Sequence, residues 1–312
     1  MSAPSVSIII PAYNRASLLR DALESVRRQT FREPLEVIVV DDGSTDDTEA
    51  VILPYLPWVT YIRQKNQGVA AARNTGILKA VAPYIAFLDS DDIWLPHKLE
   101  RQMEFLRQKP ETGLLYARMW SYDVETPDKK RLEPRMIART FEDLLNGPNC
   151  ITTSTVIVRK GCFETAGLFD PTLPAVEDHE LWLRIAKRFL IDFLDEPVAE
   201  YRRHKTSTTS EPVRLYEGYR RFYESILKQY RQEMRDPRSA ERQLAKFEYL
   251  CGTAALKGGK AKEAFRLISR AISRDACLGT QFRDEKVKGF SGIFLPLKPY
   301  AVLTVSALRA IG

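Results

Sequence analysis

An α/β fold with a mostly parallel sheet flanked by helices, followed by a helical segment, is what this sequence predicts, and three observations predict it. Short apolar runs alternate with helical periodicity through the first part of the chain. The runs at 6–10, 35–40 and 84–88 each stop abruptly in a polar cluster. Beyond Pro212 the pattern is amphipathic helix only. Strands that alternate with helices imply parallel pairing, because each crossover has to carry a covering helix.

Taken in order, the β-branched run at 6–10 is a core strand stopped by Pro11. Leu18, Leu19, Ala22, Leu23 and Val26 then mark the apolar face of a helix over 18–29. The second strand, 35–40, runs into Asp41-Asp42-Gly43-Ser44-Thr45-Asp46, a turn that leads to a short helix toward Leu53. A third strand is expected at 59–63, an alanine-rich helix at 68–81 and a fourth strand at 84–88. That last strand ends in Asp89, Asp91 and Asp92. Carboxylates so crowded repel unless donors or a cation sit among them. A hard divalent ion held by one or two of them and by substrate phosphates is one solution, and capping of the following helix is the other. In a parallel sheet, ligands bind outside the carboxyl ends of the strands. One fold would therefore bring 11–15, 41–44 and 89–92 to the same edge.

Composition narrows the class. The chain has 312 residues, 44% hydrophobic and 28% charged, enough for a core and without low-complexity tracts. It divides by charge: residues 1–210 carry 27 Lys+Arg against 30 Asp+Glu, while 211–312 carry 20 against 11. An α/β domain over 1–210 and a basic helical region over 211–312 follow. The basic region could meet anionic lipid, and no nucleic-acid motif accompanies it. Residues 290–311 are apolar but broken by Pro296, Lys298 and Pro299, so a straight membrane span is not expected. Packing onto the α/β part and a homodimer contact are equally open. The start of the chain is read as a core strand rather than a secretory leader, and the four cysteines lack metal or disulfide spacing. Both point to a cytoplasmic protein, with the inner face of the membrane as an extension of that reading.

Four segments in order, 6–15 (VSIIIPAYNR), 37–46 (VIVVDDGSTD), 66–76 (NQGVAAARNTG) and 87–92 (FLDSDD), resemble the successive signatures of family 2 glycosyltransferases, whose fold is GT-A. The resemblance runs to about His204. It implies a nucleoside diphosphate sugar donor, with Pro11, Ala12, Tyr13, Asn14, Asp42, Arg73, Asp89 and Ser90 around the nucleotide. A carboxylate such as Asp42 can accept from a uracil or thymine imide, and an aromatic ring such as Tyr13 can lie on the base. Arg73 matches a family arginine near base and phosphate; a solvated helix charge is its ordinary alternative. Asp89 and Asp91 match the Asp-x-Asp pair, with Asp91 toward Mn²⁺ or Mg²⁺ and Asp89 toward the ribose or reaching the ion through water.

The second half carries the implied acceptor chemistry. Residues 152–158 alternate as a strand, and 123–135 read as a polar surface loop. In the family a Glu-Asp pair supplies the general base, which here means Asp178 beside Glu177. The dipole of the helix they begin would hold both carboxyls low, so that a charged base is ready at neutral pH. Trp182, one turn on, is a candidate for packing against an acceptor sugar or for simple burial. Tyr201-Arg202-Arg203-His204 matches a family segment that folds over the donor. His204 is then a candidate metal ligand, and Arg202 and Arg203 are candidate diphosphate contacts. No processive-synthase signature is present, so transfer of one sugar to a glycan or lipid-linked hydroxyl, with inversion, is the expected reaction. A catalytically silent sugar-nucleotide-binding or assembly subunit and a sugar nucleotidyltransferase are the alternatives. The latter would normally show a glycine-rich loop where Pro11–Arg15 stands.

Overall fold

The computed structural model describes residues 3–123, 130–132, 136–204 and 211–275. Two compact units make up the chain: residues 1–172 with 177–207, and 173–176 with 208–312.

In the first unit, β1 (Val6–Ala12), β2 (Leu35–Asp41), β3 (Val59–Arg63) and β4 (Tyr84–Phe87) are joined by helices α1 (Ala16–Arg27), α2 (Thr48–Ile52) and α3 (Val69–Lys79). Their pairing is parallel throughout, in the order β3-β2-β1-β4. All seven residues of β1 are buried, as expected for a central strand covered on both faces. Its partners on either side start at Leu35 and Tyr84, so their polar carboxyl ends come out on one edge.

Beyond β4 the sheet changes direction. The short β5 (Ile93–Trp94) leads into α4 (Lys98–Gln108), and then come β6 (Thr112–Asp123), β7 (Lys130–Leu132), α5 (Phe141–Asn146), β8 (Ile157–Arg159), α6 (Gly161–Ala166), α7 (Glu177–Ala186) and β9 (Leu190–Arg203). β8 runs antiparallel to both β4 and β6, and β9 runs parallel to β6 with shifts of register at the middle. The long β6 and β9 were not apparent in the sequence, because their alternation is broken by those shifts. The strand expected at 152–158 is replaced by a buried 3₁₀ turn, Thr153–Thr155, ahead of the shorter β8. Threonine and serine hydroxyls compete for backbone hydrogen bonds, which favours a turn over a ladder. The loop expected at 123–135 contains β7 and otherwise lies outside the described residues.

Gly76 explains how closely α3 lies on the sheet. A Cβ there would sit 2.5 Å from Cγ2 of Ile9, a fully buried β-branched side chain on the central strand. Gly76→Ala gains about 1 kcal/mol of helix propensity but overpacks a rigid core position, which costs about 1–3 kcal/mol. The expected result is a lower urea midpoint with an unchanged slope; a raised midpoint would show that the sheet yields.

The second unit contains α8 (Pro212–Tyr230), α9 (Pro237–Lys257) and α10 (Ala261–Arg274). Gly252 lets α9 and α10 approach, since a Cβ there would meet Ile268 at 2.7 Å. Glu248, fully buried, faces Arg270 at 2.8 Å and Arg274 at 3.0 Å. No helix among the described residues is long and apolar enough to cross a membrane. The stretch at 290–311, and with it the lipid-contact expectation, lies outside the described residues.

Candidate functional site

The ends of β1 and β2 are stitched together before any ligand is considered. The Asp42 amide donates to the Ala12 carbonyl at 2.8 Å, and Asn14, at a left-handed φ of 51°, accepts from the Thr45 amide at 2.8 Å. Asn14 in turn donates its own amide to Ser44 Oγ at 3.0 Å. Asn14 therefore holds the first two motifs in register. Pro11 pairs with Val40 in the ladder, Ala12 is buried, and Tyr13 is exposed beside them. Asp42 is buried and accepts from Gln64 Nε2 (2.8 Å), the Gln67 amide (3.0 Å) and the Gly68 amide (2.7 Å). These three donors fill most of the roughly four acceptor positions of a carboxylate, and one more donor could be accommodated.

Arg73 is the hinge of the acidic centre. It is buried, so the solvated alternative is overturned, and its guanidinium donates to Asp89 Oδ1 and Glu177 Oε1, each at 2.7 Å. The cation also lies 5.3 Å from the centre of the Phe169 ring. Phe169 is held in place by Asn74, which exchanges two hydrogen bonds with its backbone at 2.8 and 2.9 Å. In this way α3 pins both the end of β4 and the start of α7.

The aspartate loop divides into distinct environments. Ser90 is buried. Asp92 is also buried, accepts from Ser154 Oγ at 2.5 Å, and is pushed well above the usual carboxylate range by burial and by Asp91 and Asp89. Asp89 is raised by burial, which Arg73 opposes. Asp91 Oδ2 faces His204 Nε2 at 2.9 Å and Arg15 Nε at 3.5 Å. The expected trio of metal ligands does not converge: among the described residues no three His, Cys, Asp or Glu side chains could share an ion. Asp91 and His204 do fit one, as a carboxylate and an imidazole with the rest of the shell left to phosphate and water. Asp89 is turned to Arg73 instead.

Two further candidates are corrected. Arg202 is buried, with its guanidinium committed to the Asp91 carbonyl (2.6 Å), Asp21 (2.7 Å) and the Leu18 carbonyl (3.0 Å), so it braces β9 against α1 rather than reaching a diphosphate. Trp182 is fully buried against Phe87 and Phe169, with ring centroids 6.0 and 5.6 Å away, and offers no face to an acceptor. Arg203 remains exposed.

Asp178 is half-buried and accepts from Asn149 Nδ2 (3.2 Å), Thr153 Oγ1 (3.2 Å) and the His179 amide (2.7 Å). The expectation that the helix dipole holds Glu177 and Asp178 low is wrong. Burial raises both carboxyls, with Arg73 the main opposing influence. Val176 precedes them at a φ of 60°, a left-handed conformation that a β-branched residue seldom adopts. Asn149, Thr153 and Ser154 escaped the sequence reading because a hydroxyl or amide in a short polar stretch carries no periodic signal. Arg15 adjoined the first motif and could have been found from it.

His179 gives a separate prediction. Its Nε2 donates to the Leu144 carbonyl at 3.0 Å, and burial lowers the imidazole from 6.5 to about 4. A folded pKa below the unfolded one supplies stability that is present above pH 6.5 and lost as pH falls toward 4. His179→Gln should flatten the fall of melting temperature across that window relative to the parent chain; parallel curves would contradict it.

A parallel nucleotide-type half, an acidic edge and a second half of mixed pairing define the GT-A glycosyltransferase fold. Residues 1–349 of TarS from S. aureus superpose with a TM-score of 0.60 at 19% identity, covering 98% of this chain and 88% of that one. The mannosyltransferase PcManGT from Pyrobaculum calidifontis, in complex with GDP-Man and Mn²⁺, gives 0.58 at 17%, covering 100% and 81%. The model of Glycosyl transferase family 2 matches residues 7–163. An uncharacterized glycosyltransferase of Rickettsia prowazekii is 30% identical over 239 residues, 74% of each chain. The putative teichuronic acid biosynthesis glycosyltransferase TuaG of Bacillus subtilis is 34% identical, over 66% of this chain and 82% of its own. The chain belongs to glycosyl transferase family 2.

Proposed function

We propose that this glycosyltransferase moves one sugar from a UDP- or dTDP-linked donor to a hydroxyl of a glycan or lipid-linked acceptor, inverting the anomeric centre. The observation that carries the reading is Arg73, which ties Asp89 of the donor motif to Glu177 of the base motif by two 2.7 Å ion pairs. Donor and base residues from distant parts of the chain thereby face one site.

The nucleotide lies across the ends of β1 and β2, with Tyr13 on the base and the remaining acceptor position of Asp42 on its imide. Asp91 and His204 would hold Mn²⁺ or Mg²⁺, which supplies charge neutralisation to a departing diphosphate. Arg15 moves from Asp91 toward the same phosphates, where a guanidinium binds bidentately. Asp178 takes the proton of the acceptor oxygen as that oxygen attacks the anomeric carbon, so no covalent sugar–enzyme species forms. Its raised pKa suits the role, since a base is most effective when its pKa approaches the working pH.

Polysaccharide synthesis is the setting suggested by TuaG and by TarS solved with UDP-GlcNAc. Residues 1–210 form the catalytic domain in this proposal. The basic helical region 211–312 contacts anionic lipid or a second copy at the inner face of the cytoplasmic membrane. The reading is tested by a thermal-shift series with UDP, dTDP and GDP sugars, with and without Mn²⁺. A shift that grows with UDP- or dTDP-sugar concentration is expected; a response to GDP sugars alone would reassign the base pocket.

A further inference from the structure

Three consecutive hydroxyl residues, Thr153, Ser154 and Thr155, form a buried turn, each no more than 3% exposed. The side chains of the first two touch both acidic motifs. Thr153 Oγ1 donates to Asp178 Oδ2 at 3.2 Å. Ser154 Oγ donates to Asp92 Oδ2 at 2.5 Å and accepts from the Asp89 amide at 3.1 Å. The turn is also pinned from behind. Trp94 Nε1 donates to the Ser154 carbonyl at 2.8 Å, and the Thr155 carbonyl receives Gln102 Nε2 at 2.8 Å and the buried Lys98 Nζ at 3.3 Å. These bonds hold the backbone of the turn, so a hydroxyl carried on it is presented from a fixed position.

We propose that Thr153 is a positioning residue: its hydroxyl fixes the Asp178 carboxylate against the same turn by which Ser154 holds the aspartate loop, so that base and donor site share one rigid reference. The inference rests on Asp178 being the base. The charged groups that face Asp178 are Arg73 from α3 and Glu177 beside it; Asn149 and Thr153 contribute neutral donors. Removal of the Thr153 donor leaves Asn149 and the His179 amide on Oδ1, and leaves Oδ2 without its hydroxyl partner. A hydrogen bond donated to a carboxylate favours its ionised form. Loss of that bond therefore raises the pH at which Asp178 ionises and frees its rotamer.

The test uses the full chain labelled with ¹³Cγ-aspartate, with the Asp178 resonance assigned by its loss in Asp178→Asn. Thr153→Val, close in shape, should titrate about one pH unit above the parent at that resonance. It should also release UDP from UDP-GlcNAc about tenfold more slowly at neutral pH, as expected for a misplaced base. UDP affinity measured by calorimetry should change less than about twofold, and Thr153→Ser should restore both the titration and the rate. A Thr153→Val protein that titrates as the parent does overturns the inference and leaves the base assignment standing. Retained turnover in Asp178→Asn overturns both.

Discussion

Asp178→Asn lowers turnover by about 10²–10⁴-fold while UDP binds with its parent affinity. The amide keeps the shape of the carboxylate and one acceptor oxygen for the hydrogen bonds around it, yet it cannot take a proton. Because the Asp178 carboxylate must be ionised to act, turnover in the parent falls as pH drops through its folded pKa. Burial places that pKa above the ordinary 3.8, against the pull of Arg73 and of the hydrogen bonds from His179, Thr153 and Asn149. The acid limb of the rate profile should accordingly lie above the range of an exposed aspartate. Steady-state rates of nucleoside diphosphate release between pH 4 and 8 check both points. Near-parent turnover in the variant would remove Asp178 from the role.

Arg73→Met has the largest expected effect on stability. It leaves a part-buried Asp89 and a buried Glu177 without their shared cation, and loss of one partner from a buried ion pair costs about 3–5 kcal/mol. The sign of the pH dependence follows from burial, which raises both carboxyls, and from Arg73, which is the chief influence lowering them. Without Arg73 their folded pKa values climb further. A group with a raised folded pKa contributes stability at low pH that is lost as pH rises through that value. The deficit of Arg73→Met should thus be greatest near pH 8 and smaller near pH 5 in urea denaturation. An equal deficit at both pH values would mean that the carboxylates escape to solvent rather than staying buried and unpaired.

The parallel half was legible because strands covered on both faces leave continuous apolar runs, and because each run here ends in polar residues at the sheet edge. Val6–Ala12, Leu35–Asp41 and Tyr84–Phe87 carry that signal directly. The helices after Pro212 were legible from their 3.6-residue period. Less of the second half could be read. β6 and β9 pair along most of their length, but register shifts near Ala117–Met119 break the alternation on which a strand assignment depends. Within the site, the acidic residues were visible as unusual clusters, whereas their surroundings were not. The sequence placed Arg202 beside His204, but only the fold shows its guanidinium turned to Asp21 and Leu18. Likewise Asp178 sits at a helix start, where sequence alone suggests a low carboxyl, but burial raises it. A local rule loses to desolvation when a carboxylate leaves water.

The most direct measurement is a crystal structure with UDP and Mn²⁺, with the ion located by its anomalous scattering. The account predicts uracil beside Tyr13 and Asp42, an anomalous peak between Asp91 and His204 at the diphosphate, and the Asp178 carboxylate open toward the side from which an acceptor enters. Nucleotide bound away from the ends of β1, β2 and β4, or a manganese peak remote from Asp91, would contradict it.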